Sequence, residues 1–170
     1  MLNQKRLKEL LQYDLDTGVF TWKVRAATNT KIGSEAGSVV KDTRTYYRFI
    51  MISNKSYYAH RLAWLYVHGK WPKNQIDHED GNGLHNWIKN LRDVTNRENS
   101  MNSRMFSNNT SGFSGVSYHK RDGNWRAYIS VDSKQKHLGN FDNIDEAVSA
   151  RKAAEVKYGF HPNHGQARTQ

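Results

Sequence analysis

Residues 75–99 read QIDHEDGNGLHNWIKNLRDVTNREN. Asp77, His78, Asn90 and Asn99 stand there among glycines and asparagines, in a chain that is elsewhere basic and aromatic. Two readings compete. An asparagine-rich loop whose side chains bond their own backbone has this composition. So does a place where a histidine and a divalent cation act on a phosphate. That chemistry needs a base to deprotonate water and a cation to neutralise charge at the scissile phosphate and the leaving oxygen. Histidine suits the first task because its reference pKa lies near ~6.5. A carboxylate with an amide oxygen suits the second when the metal is hard. Asp77 and His78 are neighbours, so on an extended strand they point apart; at a bent strand end they flank one phosphate. Asn99 falls in the first turns of a helix expected from Asn96 to about Met105, with Thr95 and Glu98 in the T-x-x-E capping pattern. DHEDGNG does not have calcium-loop spacing, and His78 with His85 lacks the cysteines or compact His pair of a zinc site. For any single asparagine the loop reading is the commoner one, and spacing alone does not choose.

The whole chain has 170 residues, enough for one domain or two small ones. Lys and Arg number 26 against 16 Asp and Glu, a formal charge of +10. Each neutralised phosphate releases condensed counterions, so this balance favours a polyanionic partner. An anionic membrane surface attracts the same charge, but no apolar run approaches the ~18–20 residues of a spanning helix, and no signal-peptide core follows the N-terminus. With no cysteine, disulfides, thiol catalysis and the usual zinc clusters drop out. Five Trp, nine Tyr and six Phe, interleaved with the basic residues, set the chain apart from a disordered basic tail. A soluble, intracellular, nucleic-acid-binding protein is expected, without a membrane role or an evident obligatory protein partner.

Upstream, Leu2, Leu7, Leu10 and Leu11 share one stripe, which predicts a short helix over 2–13. Asp14, Asp16, Thr17 and Gly18 make a turn, and VFTWKV reads as a strand. Two more strands are expected at Thr45–Ser53 and Ser56–His60, joined through Asn54–Lys55. An apolar helix follows over Arg61–His68, with Gly69 as its cap and Pro72 beyond. Downstream, SNNTSGFSG at 107–115 has the composition of a linker. Strands are then expected at Gly115–Lys120, Trp125–Val131 and Lys136–Phe141, and a helix over 143–158 with Ala147, Val148, Ala150, Ala153, Ala154 and Tyr158 as its apolar side. In WRAYISV, Ala127 and Ile129 alternate with Arg126, Tyr128 and Ser130. The small apolar pair suits the alanine-rich helix, and the other three point outward, as His119 and Arg121 do from the preceding strand. Basic residues outnumber acidic ones six to two over 101–141, whereas 142–155 has four acidic and two basic. The helix-free face is therefore the better place for a phosphate backbone, and a ribbon of this kind can enter the major groove. An ordinary solvated sheet face has the same parity.

The opening stretch, IDHEDGN followed by HNWIKNLRDVTNREN, resembles the motif of HNH homing endonucleases of phage and intron origin, in the variant whose last histidine is asparagine. Asp77–His78, Asn90–Leu91 and Thr95–Asn99 carry the likeness without a gap. The resemblance implies a ββα-metal (His-Me finger) module, two short strands and a helix around one cation. It implies His78 as general base, Asn90 as the residue that holds the loop and orients His78, and Asp77 and Asn99 as ligands of one Mg²⁺ or Mn²⁺. AHRLAWLYVHGKWP at 59–72 is similar to the segment that precedes this motif in phage proteins, with His60 read as structural. The last unit resembles the DNA-binding domain of plant ethylene-response factors, on Gly115–Val116, Trp125, Ala127, Ile129, Leu138–Gly139, Phe141 and the helix from Glu146–Ala147. The implied duplex-binding set is His119, Lys120, Arg121, Arg126, Tyr128, Gln135 and His137. Where the plant domains rely on arginines and tryptophans, this chain has Ser117, His119, Tyr128, Ser130 and His137, so base preference does not carry over.

The expectation is an α+β protein: a nuclease module with N-terminal strands over 1–106, motif at 75–105, a linker over 107–114, a three-stranded antiparallel sheet on one helix over 115–160, and a tail over 161–170. Its expected activity is metal-dependent cleavage of double-stranded DNA, nicking or cutting, in the cytoplasm of the host cell of a phage or mobile element. The rivals are a non-cleaving DNA-binding regulator with a decayed nuclease module, and an RNA binder that stacks bases on aromatic side chains.

Overall fold

The computed structural model describes residues 2–42, 45–103, 105 and 108–166. By its contacts the chain divides after Thr95 into two compact units.

The first unit opens with α1 (Gln4–Leu10), capped by the Asn3 side chain, which accepts from the Arg6 N–H; the helix buries Leu7 and Leu10. The helix is shorter than the leucine stripe predicts. Leu11–Tyr13 instead extends as β1 and pairs antiparallel with β2 (Phe20–Trp22). The reason lies in the next residues: Asp14 Oδ1 accepts from the Asp16 and Thr17 N–H groups, closing a tight turn that commits the preceding residues to a hairpin. Leu11 stays buried all the same, because Leu11 and Tyr13 alternate with exposed Gln12.

A second sheet has β3 (Ser38–Asp42), β4 (Thr45–Ile52) and β5 (Lys55–Tyr58) in the order β3-β4-β5. The β4–β5 turn is Ser53–Asn54, one residue earlier than expected, and both adopt positive φ as a two-residue hairpin loop requires. Then α2 (Ala59–His68) ends at Gly69 in the left-handed conformation, as the sequence predicts, though it begins two residues earlier. Next, β6 (Gln75–His78) pairs antiparallel with β7 (Leu91–Val94), placing Asp77 opposite Arg92 and His78 opposite Leu91. A single 3₁₀ turn, Ile88–Asn90, leads into β7. Leu7, Leu11, Phe20, Ile50, Leu62, Leu65 and Leu91 belong to one core, so α1, both sheets, α2 and β7 are packed together.

The second unit begins with α3 (Asn96–Met101), shorter than the expected run to Met105. Arg104 of that expected stretch, and Ser107 of the expected linker, lie outside the described residues. Three strands follow, β8 (Val116–His119), β9 (Asn124–Val131) and β10 (Lys134–Phe141), antiparallel in the order β10-β9-β8. Helix α4 (Ile144–Lys157) covers one face, its start capped by Asn143, whose side chain accepts from the Glu146 N–H. Val116 and Ala127 meet Ala147, while Ile129 and Val131 meet Ala154, as strand parity predicts. One position departs from the expected helix face. Ala153 is exposed, and buried Arg151 lies inside. Its guanidinium donates to the Tyr128 carbonyl at 2.6 Å and to Glu155 at 2.9 Å, which satisfies a charge that would otherwise be costly to bury. The segment after α4 is tied back by the His161 N–H to Met101 O and the Gly165 N–H to Ser103 O.

Candidate active site

Asp77 and His78 end β6, and both are buried, at 8% and 5% exposure. Being adjacent on a strand, they face different surroundings. Asp77 Oδ2 takes the guanidinium of its cross-strand partner Arg92 at 2.5 Å. The His78 ring meets His60 of α2 edge-on, centroids 5.1 Å apart, with Tyr47 of β4 at 6.0 Å. Burial pushes His78 below the ordinary histidine value, partly offset by its bond to Asn86 and by Asp80 and Asp77. Burial pushes His60 lower still, with His78 and Arg61 adding to the effect. Burial thus favours the neutral form of both rings.

The loop between β6 and the 3₁₀ turn is closed by its own polar side chains. Asn90 Nδ2 donates to Asp80 Oδ1 at 3.0 Å and to the His85 carbonyl at 2.8 Å, while Asn90 Oδ1 accepts from the Asp80 N–H. Asp80 Oδ2 lies 2.6 Å from His85 Nδ1, and His85 stacks on Trp87 at 4.4 Å. Asn82 Oδ1 accepts from the Leu84 N–H, and its Nδ2 meets His85 Nε2 at 3.1 Å. Asn82 and His85, assigned to the loop by the sequence, thus build it. Gly83 is needed where the loop crosses β4, since a Cβ there would stand 2.4 Å from Tyr46 O and 2.6 Å from the Tyr47 ring.

Among the described residues, the side chain that bonds His78 is Asn86 and not Asn90: Asn86 Oδ1 lies 3.2 Å from His78 Nε2. Asn90 reaches His78 only through the loop that it holds. Sequence reasoning missed Asn86, which looks like one more turn-forming asparagine, and Arg92, which looks like an ordinary surface cation. The alternation of a four-residue strand was the available signal for Arg92, because it stands opposite Asp77 once β6 and β7 pair. Asn99 is carried by α3, in the second unit.

On the open face of the C-terminal sheet, register sets Arg126 beside Ser117 and Asn140, Tyr128 beside His137, and Ser130 beside Gln135. Lys120 and Arg121 lie in the β8–β9 turn. This face is less freely cationic than its sequence suggests: Asp122 Oδ2 holds Arg126 at 2.6 Å and stands 3.2 Å from His119 Nδ1.

Two comparisons bear on this arrangement. A sequence profile described as HNH endonuclease matches residues 57–101, from within β5 through β6, the loop and β7 to the end of α3. The chain belongs to the HNH endonuclease family. It is 36% identical over 87 residues to Protein 3.8 of Escherichia phage T7, a match spanning 51% of this chain and 72% of that protein. No solved structure matches significantly. Among the described residues, no helix is long and apolar enough to cross a membrane.

Proposed function

We propose that the protein is a metal-dependent, homing-type DNA endonuclease that hydrolyses phosphodiester bonds of duplex DNA. The observation that carries this reading is His78, a buried ring fixed by one side-chain bond, next to a buried carboxylate within the segment that matches the family. A neutral imidazole is the form able to take a proton from attacking water. In this reading Asp77 and Asn99 would hold one Mg²⁺ or Mn²⁺, since carboxylate and amide oxygens are donors a hard cation accepts. Among the described residues no group of three or more His, Asp or Glu side chains could hold a metal. The ion, when bound, neutralises charge on the phosphate and the leaving 3′-oxygen. Asn90 keeps the loop closed over the strand ends. The sheet face with His119, Lys120, Arg121, Arg126, Tyr128, Gln135 and His137 carries the duplex. One motif copy acts on one strand at a time, so the primary product is a nick. Supercoiled plasmid with Mg²⁺ or Mn²⁺ tests this: the wild type yields relaxed circles, EDTA stops it, and His78→Ala yields none.

A second reading has an observation of its own. Arg92 already neutralises Asp77, which favours a DNA-binding regulator whose nuclease module no longer takes metal. Tight duplex binding with no relaxed product in any divalent cation would select it.

A further inference from the structure

Asn86 is 2% exposed, and its amide bridges two neighbours. Nδ2 donates to the Leu84 carbonyl at 3.0 Å, and Oδ1 faces His78 Nε2 at 3.2 Å. A backbone carbonyl can only accept, so the Leu84 bond fixes which end of the amide meets the ring; this orientation is assigned from the hydrogen-bond network. An amide oxygen can only accept in turn. Nε2 of His78 must therefore carry the proton, leaving the lone pair on Nδ1.

The Asn86 backbone is clamped from a distant part of the chain. The Tyr13 hydroxyl on β1 donates to Asn86 O at 2.7 Å, in a buried contact 73 residues apart in sequence. Burial, with Asp14 nearby, pushes that hydroxyl far above its ordinary value, so it remains a donor. At the β1–β2 turn, a Cβ on Gly18 would fall 2.3 Å from Asn86 C and from Trp87 N. Only glycine lets the hairpin close this tightly on the loop, and its φ of +73° suits glycine too.

We infer that Asn86 is the positioning residue that sets the tautomer of His78, making Nδ1 the proton-accepting atom, and that the β1–β2 hairpin holds Asn86 in place to do so. This rests on His78 acting as the base. Without the acceptor the ring is free to exchange tautomers and to turn, and Nδ1 would be aimed only part of the time.

The test uses the full chain, ¹⁵N-labelled, with long-range proton–nitrogen NMR at neutral pH without metal or DNA. The His78 signals are those absent from His78→Ala. The wild type should show a proton on Nε2 and a bare Nδ1. Asn86→Ala should lose that fixed pattern, and its plasmid nicking should fall about 100-fold in kcat with KM unchanged. Asn86→Asp keeps an acceptor for Nε2 but loses the donor to the Leu84 carbonyl, so it should keep the Nε2 proton and nick faster than Asn86→Ala though slower than wild type; it also decides the matter if the alanine variant does not fold. A wild-type ring protonated on Nδ1 would overturn the inference, as would an Asn86→Ala protein with unchanged tautomer and unchanged rate. Loss of the Nε2 proton in Asn86→Asp would overturn it too. If His78→Ala nicks as fast as wild type, the general-base reading fails. If His78→Ala is inactive while Asn86→Ala is fully active, only the positioning role fails.

Discussion

Asp77 serves two cations in this account. Arg92 is bonded to Oδ2 in the structure, and a divalent ion on the same carboxylate would stand close enough to the guanidinium to be repelled. Removing Arg92 should therefore strengthen metal binding by free protein. Calorimetric titration of Arg92→Gln with Mn²⁺ in the absence of DNA is expected to give about tenfold tighter binding than wild type, the order that a few ångströms' separation at a partly screened site allows. Equal or weaker binding would mean that Arg92 supports the metal position and does not compete for it. At this scale the sequence was legible where spacing is local. The Asp77–His78 pair and Asn90 stand out from the motif, and the structure finds the pair at one strand end with Asn90 bonding the loop. Asn86 was not legible. Its role depends on a carbonyl two residues away and a tyrosine 73 residues away, and asparagine is so common in turns that nothing local sets this one apart.

The elements follow the same rule. Strand β9 was readable because one face is buried under α4, so alternation in WRAYISV reports burial directly. Strand β3 was not, because it is exposed along most of its length and gains its structure from pairing with β4. The α1–β1 boundary was missed for a third reason: consecutive leucines suit a helix and a strand alike until the turn at Asp14 closes. Charge on an element is equally a matter of partners. Arg126 lies on the open face but spends its charge on Asp122. In the duplex-binding role proposed for this sheet, Asp122→Asn should tighten DNA binding several-fold and steepen its salt dependence. Arg126→Ala should weaken binding and reduce the slope of log affinity against log salt by about one. Fluorescence anisotropy across a salt series measures both.

Two buried imidazoles, His60 and His78, and the half-buried His164 are all pushed below the ordinary histidine value, which makes stability depend on pH. His164 packs against Arg151, with Glu155 and Lys152 nearby, and burial together with Arg151 pushes it down to about 4. Unfolded, a histidine takes up its proton near ~6.5. Between those values the unfolded chain binds more protons than the folded one, so stability falls as pH drops from about 6.5 towards 4. His60 and His78 act in the same direction. Urea denaturation at pH 7, 6, 5 and 4 should show midpoints falling through this window, and His164→Asn should flatten part of the fall. Both units are therefore expected to be more stable near neutral pH than in acid. Net charge, the HNH motif and the C-terminal sheet-and-helix unit were all legible in the sequence. The claim that joins these scales is that His78 makes this chain a nuclease, and the most direct measurement is nicking of supercoiled plasmid by equal amounts of purified wild type and His78→Ala in Mg²⁺ and Mn²⁺. The account predicts relaxed circles from the wild type and a rate lower by at least about 100-fold from the variant; equal relaxation by the two proteins would contradict it.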